Sequence, residues 1–227
     1  MKKIAEIRTE LPDKFGIPRQ SGLVPGLRGK IIFEPEYRSP DALRGIEGFS
    51  HIWLIWGFSQ NTSVKWSPTV RPPRLGGDTR MGVFATRSPF RPNHIGLSCV
   101  KLEAVRIGKD GPELEVSGPD MADHTPIYDI KPYLPYTDSH PEASSGFAAP
   151  YTGYALEVSV SGALMDLIPY EHREALIGIL SNDPRPSYQN DSERVYGLTF
   201  AGFNIKFTVS GQLLTVREIT RQNEIPV

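Results

Sequence analysis

Apolar residues recur at every second position, or in short unbroken runs, along most of this chain, and both patterns predict β-strands. The first two candidates are residues 3–11 and 29–37. Residues 51–59 (HIWLIWGFS) are apolar on both faces, which predicts a strand that is buried on both sides. Residues 95–107 and 112–118 flank the turn sequence GKDG and predict an antiparallel hairpin.

Two further segments are less regular. Residues 41–49 predict one or two helical turns, with Asp41 as the N-cap. Residues 126–136 (PIYDIKPYLPY) are spaced by prolines, so we expect an extended lining segment rather than a central strand.

The pattern changes in the last third of the chain. Residues 153–162 alternate between apolar and polar positions, with Tyr154, Leu156, Val158 and Val160 on one face. Residues 169–183 predict the one convincing helix, with Pro169 near its first position. Residues 196–219 predict short antiparallel strands that turn near residues 201–202 and 210–211.

These elements predict a mainly β fold that is built around an antiparallel β-barrel. A stretch rich in Ser, Ala, Gly and Pro ends at residue 150 and marks a plausible domain boundary. We therefore expect the barrel in residues 1–150, and a barrel-closing strand plus a small α+β domain in residues 151–227.

Composition narrows the class of protein. A hydrophobic content of 39% predicts a buried core, and 21 prolines in 227 residues argue against a helical bundle. The one cysteine, Cys99, excludes an intramolecular disulfide and a multi-cysteine zinc site, and we interpret it as a small buried hydrophobe. No segment resembles a signal peptide or a membrane span, which predicts a cytoplasmic protein.

Charge is concentrated in one region although the net charge is only −1. Residues 65–94 contain six cations and one acid, and five of the cations are arginines separated by glycine and proline. Because the guanidinium group is planar and permanently charged, such a cluster suits the binding of phosphate or carboxylate. We interpret the cluster as an anion-binding site, although a solvated loop is the more ordinary reading of any single arginine.

Other chemistries have weaker support. No glycine-rich turn follows a strand and opens a helix, so neither a Rossmann site nor a P-loop is indicated. The histidine spacing does not favour a metal site, and no GxSxG motif is present. Two alternatives stay open: a non-catalytic RNA-binding barrel, and a metal-dependent phosphoesterase that uses Asp120, Asp123 and Asp129.

Four segments carry a resemblance to a known family: residues 18–21 (PRQS), 71–77 (RPPRLGG), 82–98 (GVFATRSPFRPNHIGLS) and 129–136 (DIKPYLPY). In this order they resemble the S-adenosylmethionine-dependent tRNA methyltransferases that methylate N6 of threonylcarbamoyl-adenosine beside the anticodon. Residues 183–188 (DPRPSY) resemble the small C-terminal domain of that family. The match spans almost the whole chain, and its two long middle segments are highly specific.

The resemblance implies a β-barrel that binds S-adenosylmethionine without a Rossmann fold, and a homodimer with its site near the interface. Carried over position by position, it implies these contacts to the methyl donor: Arg19, Gln20, Ser21, Phe58, Ser59, Arg87, Leu97, Asp123, His124, Thr125 and Pro126. Two positions depart from the family, since many relatives have histidine at position 59 and glycine at position 124. If the backbone at residue 124 has a positive φ, histidine tolerates it less well than glycine.

The implied reaction also assigns roles to the remaining polar residues. The acceptor nitrogen is urea-like and must lose a proton, and a positioned base would help; the candidates are Asp129 and Tyr133, and the base stays unassigned. Cations and one amide are expected to bind tRNA phosphates, the threonyl carboxylate or a base edge. They are Arg71, Arg74, Arg80, Arg91, Asn93 and Lys131, and no metal is expected.

Overall fold

The structure is a computed structural model that describes residues 1–60, 65–72, 75, 79–151, 153–185 and 191–222. Its first part contains eight strands among the described residues, and six of them form a closed antiparallel barrel in the order β1-β2-β7-β6-β3-β8. The strands are β1 (Ala5–Thr9), β2 (Arg28–Phe33), β3 (His51–Gly57), β4 (Thr69–Val70), β5 (Met81–Gly82), β6 (Ile95–Gly108), β7 (Gly111–Ser117) and β8 (Thr125–Pro132).

The barrel interior is filled by alternate residues of its strands. Ile7, Ile31, Leu54, Leu114 and Ile127 are fully buried there. Burying such side chains stabilises the fold by roughly 1.5–3 kcal/mol each relative to leaving them exposed. In β3 the burial alternates, because His51–Gly57 buries Ile52 and Leu54 while the residues between them are only half-buried. The prediction that β3 is buried on both faces is therefore wrong, because its outer face is only half-buried.

The predicted hairpin is confirmed, since β6 pairs with β7 around the turn at residues 109–110. The prediction for residues 126–136 is wrong. That segment contains β8, which pairs with β1 on one side and with β3 on the other. Pro126 and Pro132 lie near the two ends of β8, so the residues between them remain free to pair.

The second part of the chain forms a four-stranded sheet in the order β10-β11-β12-β9. Its elements follow a short helix α1 (Pro135–Asp138). They are β9 (Glu157–Ser159), α2 (Gly162–Met165), α3 (Tyr170–Ser181), β10 (Tyr196–Phe200), β11 (Phe203–Ser210) and β12 (Leu213–Arg221). The predicted helix and the three predicted C-terminal strands are confirmed, with Pro169 as the N-cap of α3 rather than its first residue.

The expected barrel-closing strand after residue 150 does not close the barrel. β9 pairs in parallel with β12, and the pairing of β1 with β8 completes the barrel instead. The two cores are separate clusters, one inside the barrel and one between α3 and the second sheet. The domain boundary near residue 150 stays a prediction.

Short 3₁₀ turns connect several elements: Pro35–Tyr37, Pro40–Leu43, Ile46–Gly48, Val83–Ala85 and Gly146–Tyr151. The helical turns expected in residues 41–49 are present, but Ser39 is the N-cap and Asp41 lies inside the turn. The Asp41 carboxylate instead accepts a hydrogen bond from Arg44. No helix in the described ranges is long and apolar enough to cross a membrane.

The long loop between β1 and β2 belongs to the core of the second part. Leu11, Val24 and Leu27 of this loop are buried among the side chains of α3 and β10–β12. A Cβ at Gly26 would approach the Ala175 backbone nitrogen to 3.0 Å, and one at Gly178 would approach Val24 Cγ1 to 2.6 Å. Because the loop packs this closely on α3, the residues at its tip are held at one position between the two parts.

Candidate functional site

A cavity of about 610 Å³ is lined, among the described residues, entirely by the first part of the chain. Its walls come from the tip of the β1–β2 loop, the end of β3, residues 86–97, and the segment between β7 and β8. This volume falls within the range typical of small-molecule sites. The cavity therefore gathers segments that are far apart in the sequence and defines the candidate site.

One wall is aromatic. The rings of Trp56 and Phe58 lie 4.4 Å apart between centroids, at an interplanar angle of 60°. The Trp56 indole lies directly over the backbone of Gly96, where any Cβ would overlap the indole ring. Leu97 is 55% exposed at the rim of the cavity. This wall offers a π surface to a flat or cationic ligand.

A polar chain leads from the arginine-rich segment to the second part of the molecule. Arg87 donates to the side-chain oxygen of Gln20, and the Gln20 amide donates to the backbone oxygen of Arg19. The Arg19 guanidinium then donates to the backbone oxygens of Asp183 and Arg185, each at 3.3 Å. Arg19, Gln20 and Arg87 line the cavity together, so three of the residues implied by the resemblance converge as expected.

Asp120 lies in the cavity wall after the end of β7. Its carboxylate accepts a hydrogen bond of 2.6 Å from Ser98 Oγ, which in turn accepts one of 2.9 Å from Trp56 Nε1. Burial raises the pKa of Asp120, while the hydrogen bonds from Ser98 and the Ser21 backbone and the charge of Arg87 partly oppose that rise. This carboxylate is the main polar feature of an otherwise apolar wall.

The loop at residues 121–126 reaches the cavity through only part of its length. Thr125 lines the cavity, whereas Ser21, Asp123, His124 and Pro126 are not among its lining residues. Asp123 accepts a hydrogen bond of 3.0 Å from the Thr9 backbone and holds the loop against β1.

His124 has a φ of 60°, so the backbone there is in the left-handed region that glycine occupies most readily. Its ring contacts Arg8 and lies 3.3 Å from Glu6. Although this chain has histidine where many relatives have glycine, the backbone at position 124 therefore keeps the conformation that glycine favours.

The two candidates for the base lie elsewhere. Asp129 belongs to β8, where it bonds the Lys131 ammonium at 3.1 Å and is 47% exposed. The Tyr133 ring packs against His51 and Trp53, with centroid distances of 6.1 and 5.7 Å. Neither residue lines the cavity.

Among the described residues, the predicted RNA-binding cations are only partly gathered at the cavity. Arg71 is exposed, and Arg80 donates to Thr69 Oγ1 at 3.1 Å. Arg91 lines the cavity, where it donates to the backbone oxygens of Val83 and Thr86.

Two further members of that set lie outside the cavity. Lys131 is 62% exposed and pairs with Asp129, and Asn93 is exposed. Arg74 falls outside the described residues.

Sequence reasoning did not single out several residues that line the cavity. They are Lys14, Ile17, Pro18, Trp56, Gln60, Thr86, Pro89, Phe90, Ile95, Gly96, Met121 and Ala122. It named Asp120 only as one of three possible metal ligands. In the part of the chain that the structure describes, no group of three or more His, Cys, Asp or Glu side chains is close enough to hold a metal ion.

The fold and the cavity define a class of antiparallel barrel proteins in which a loop anchored in a second α+β unit walls the binding site. The chain belongs to the tRNA-methyltransferase O family. Residues 6–139 match the model of the tRNA-methyltransferase O N-terminal domain, and residues 156–222 match that of the TrmO C-terminal domain.

Individual relatives align with this chain over most of its length. The chain is 41% identical over 217 residues to the tRNA (adenine(37)-N6)-methyltransferase of Escherichia coli, covering 92% of each chain. It is 42% identical over 205 residues to a Pseudomonas aeruginosa protein named as a candidate S-adenosylmethionine-dependent methyltransferase, covering 86% of each. The crystal structure of TrmO from Pseudomonas aeruginosa matches with a TM-score of 0.76 at 31% identity, covering 96% of this chain and 97% of that one.

Proposed function

We propose that this chain transfers a methyl group from S-adenosylmethionine to N6 of threonylcarbamoyl-adenosine next to the anticodon of tRNA. The observation that carries the proposal is the family match along both parts of the chain, with a relative that is named as a tRNA (adenine(37)-N6)-methyltransferase. This reading replaces the non-catalytic RNA-binding barrel and the phosphoesterase.

The cavity suits the methyl donor in size and in chemistry. Its volume of about 610 Å³ lies within the range of small-molecule sites, and its lining combines aromatic rings, three arginines and a carboxylate. S-adenosylmethionine, when bound, supplies an electrophilic methyl group on a positively charged sulfur. The wall formed by Trp56 and Phe58 offers a π face to the adenine or to that positive charge.

Arg87 is proposed to bind the carboxylate of the donor's amino-acid group. A guanidinium matches a carboxylate in geometry, and Gln20 already holds Arg87 at the cavity. Ser21, Asp123, His124 and Pro126 are proposed to act through the backbone that they shape around Gln20 and Thr125. Ser59 lines the rim beside Phe58, where a histidine stands in many relatives.

The predicted RNA-binding cations are proposed to position the tRNA. Arg71, Arg74, Arg80, Arg91 and Lys131 would contact phosphates or the threonyl carboxylate, and Asn93 a base edge. Holding the acceptor nitrogen in line with the methyl carbon supplies most of the rate enhancement available to such a site.

A cytoplasmic homodimer with its site near the interface completes the proposal. Large apolar side chains remain exposed at and beside the mouth of the cavity: Phe84 by 73%, Leu97 by 55% and Phe90 by 43%. A patch of this kind suits contact with a second copy of the chain. Sedimentation of the wild-type protein and of Phe84→Glu tests whether the chain dimerises through this patch. A dimer formed through the patch should dissociate in the variant, whereas a dimer formed through another surface should persist.

The activity is tested with purified protein, S-adenosylmethionine and threonylcarbamoylated tRNA. Mass spectrometry of the digested nucleosides should show one added methyl group on threonylcarbamoyl-adenosine, without added metal. Calorimetry should show saturable donor binding. An RNA that binds in a salt-dependent manner but gains no methyl group would instead identify a binding protein.

A further inference from the structure

Asp120 is the only acid among the lining residues that the structure describes. The other charged members of the lining are Lys14, Arg19, Arg87 and Arg91. Asp120 is thus the one negative charge among these lining side chains, and the positive charge of Arg87 acts on it.

Neighbouring donors fix the orientation of this carboxylate. Trp56 Nε1 donates to Ser98 Oγ, so the one hydroxyl proton of Ser98 is directed to Asp120 Oδ1, 2.6 Å away. The backbone N–H of Ser21 also donates to the carboxylate. Because the side chain cannot rotate without breaking these bonds, the position of its second oxygen, Oδ2, is fixed as well.

The proposed reaction needs a proton acceptor. As the bond between N6 and the methyl carbon forms, the carbon–sulfur bond breaks and its electron pair stays on sulfur. The N6–H pair stays on nitrogen, so the proton must pass to a base. A positioned carboxylate accelerates such a step by about 10²–10⁴-fold.

We propose that the Asp120 carboxylate is the base that accepts the N6 proton. This assignment rests on the proposed function. It replaces Asp129 and Tyr133, neither of which lines the cavity, whereas Asp120 faces into it on a fixed hydrogen-bond network. After transfer the proton leaves to solvent and restores the carboxylate.

The environment of Asp120 increases its basicity. Burial raises its pKa above the ordinary value, and the nearby positive charge of Arg87 and the Ser98 and Ser21 bonds keep that rise in check.

The direct test is Asp120→Asn, which keeps the size of the side chain and removes its basicity. We expect kcat for methyl transfer to fall by about 10²-fold or more, while the donor Kd measured by calorimetry stays within about twofold. The acid limb of the wild-type pH profile should be absent from the residual activity. The matched control is Glu103→Gln, since Glu103 accepts a hydrogen bond of 2.7 Å from Ser117 on a barrel strand outside the cavity.

A second variant tests the same idea through the pKa. Ser98→Ala removes a bond that lowers the pKa of Asp120, so that pKa should rise, and the acid limb should move to higher pH. A ¹³C NMR titration of the Asp120 carboxyl should show the same displacement without any substrate. Ser117→Ala, which removes the equivalent bond to Glu103, should leave both readouts unchanged.

Three outcomes would overturn the assignment. They are near-normal kcat in Asp120→Asn, an acid limb that persists in that variant, and a loss of donor affinity large enough to account for the whole defect. If the wild-type protein methylates no tRNA, the proposed function fails instead, and the two results are distinguishable.

Discussion

Arg19 bonds the backbone oxygen of Arg185 across 3.3 Å and so ties the cavity loop to the second part of the molecule. Arg185 is itself held by Asp183, through bonds of 2.8 and 3.0 Å to the two carboxylate oxygens. Both side chains are about nine-tenths buried, and Tyr154 donates to the same carboxylate at 3.2 Å. The position of Arg19 in the cavity therefore depends on an ion pair outside that cavity.

Asp183→Asn should be strongly destabilising. Asparagine tolerates the left-handed backbone at this position, where φ is 52°, so the main loss is the charge that compensates buried Arg185. We expect the free energy of unfolding to fall by about 3 kcal/mol in urea titrations. Glu218→Ala is the control, because it breaks an exposed pair with Lys206 and should cost less than about 1 kcal/mol. Equal losses in the two variants would contradict the interpretation.

Arg87→Ala should weaken binding of the methyl donor. Losing a charge-assisted bond to the donor carboxylate should raise the donor Kd by roughly ten- to a hundredfold in calorimetry. The fold should be unchanged, since Arg87 is exposed and its side chain donates to Gln20. Arg106→Ala, which removes an exposed pair with Glu115 on the barrel, serves as the control. An unchanged donor Kd with normal turnover would reject the role given to Arg87.

Gly96→Ala should damage both stability and the aromatic wall. The new methyl group would overlap the Trp56 indole, which must move and then loses its bond to Ser98. Overpacking of this kind costs about 1–3 kcal/mol, to be measured as a lower urea midpoint at unchanged slope. Gly197→Ala is the matched control on β10, because a Cβ there meets nothing within 4 Å. A Gly96→Ala protein with wild-type midpoint and donor affinity would show that the wall is not closely packed.

His124→Gly should stabilise the protein slightly. Glycine relieves the left-handed backbone, and the exposed contacts to Glu6 and Arg8 contribute little. We expect a gain of up to about 1 kcal/mol, with donor affinity unchanged because the loop already has the required shape. Ala201→Gly, at a φ of 50° in the β10–β11 turn, measures the same relief far from the cavity. A loss of stability at position 124 alone would mean that the histidine contacts outweigh the strain.

The strands and the C-terminal helix followed from local patterns, because alternation and turn residues act over short distances. The role of β8 did not follow, since its prolines suggested an irregular segment and only the pairing partners show that they lie near its ends. The parallel pairing of β9 with β12 is also set by contacts between distant residues. Local sequence carries no direct signal for either relationship.

The residues of the candidate site were likewise predicted only in part. Arg19, Gln20, Phe58, Ser59, Arg87, Leu97 and Thr125 line one cavity, and all seven are among the residues that the resemblance assigned to the methyl donor. Trp56 was read only as part of a buried strand, because its place over Gly96 depends on the register of β3 with β6. Asp120 was grouped with Asp123 and Asp129 by sequence proximity, although each of the three bonds a different partner. Proximity in the sequence did not reveal which of the three lines the cavity.

The dependence of Arg19 on residues 183 and 185 bears on how the protein emerges from the ribosome. All six barrel strands are complete once residue 132 has been made, so the barrel can close early in synthesis. The carbonyls that hold Arg19, and the helix on which its loop packs, are made only later. During translation the barrel strands thus emerge before the residues that hold Arg19 in the cavity, so the finished shape of the cavity wall is set only late in synthesis.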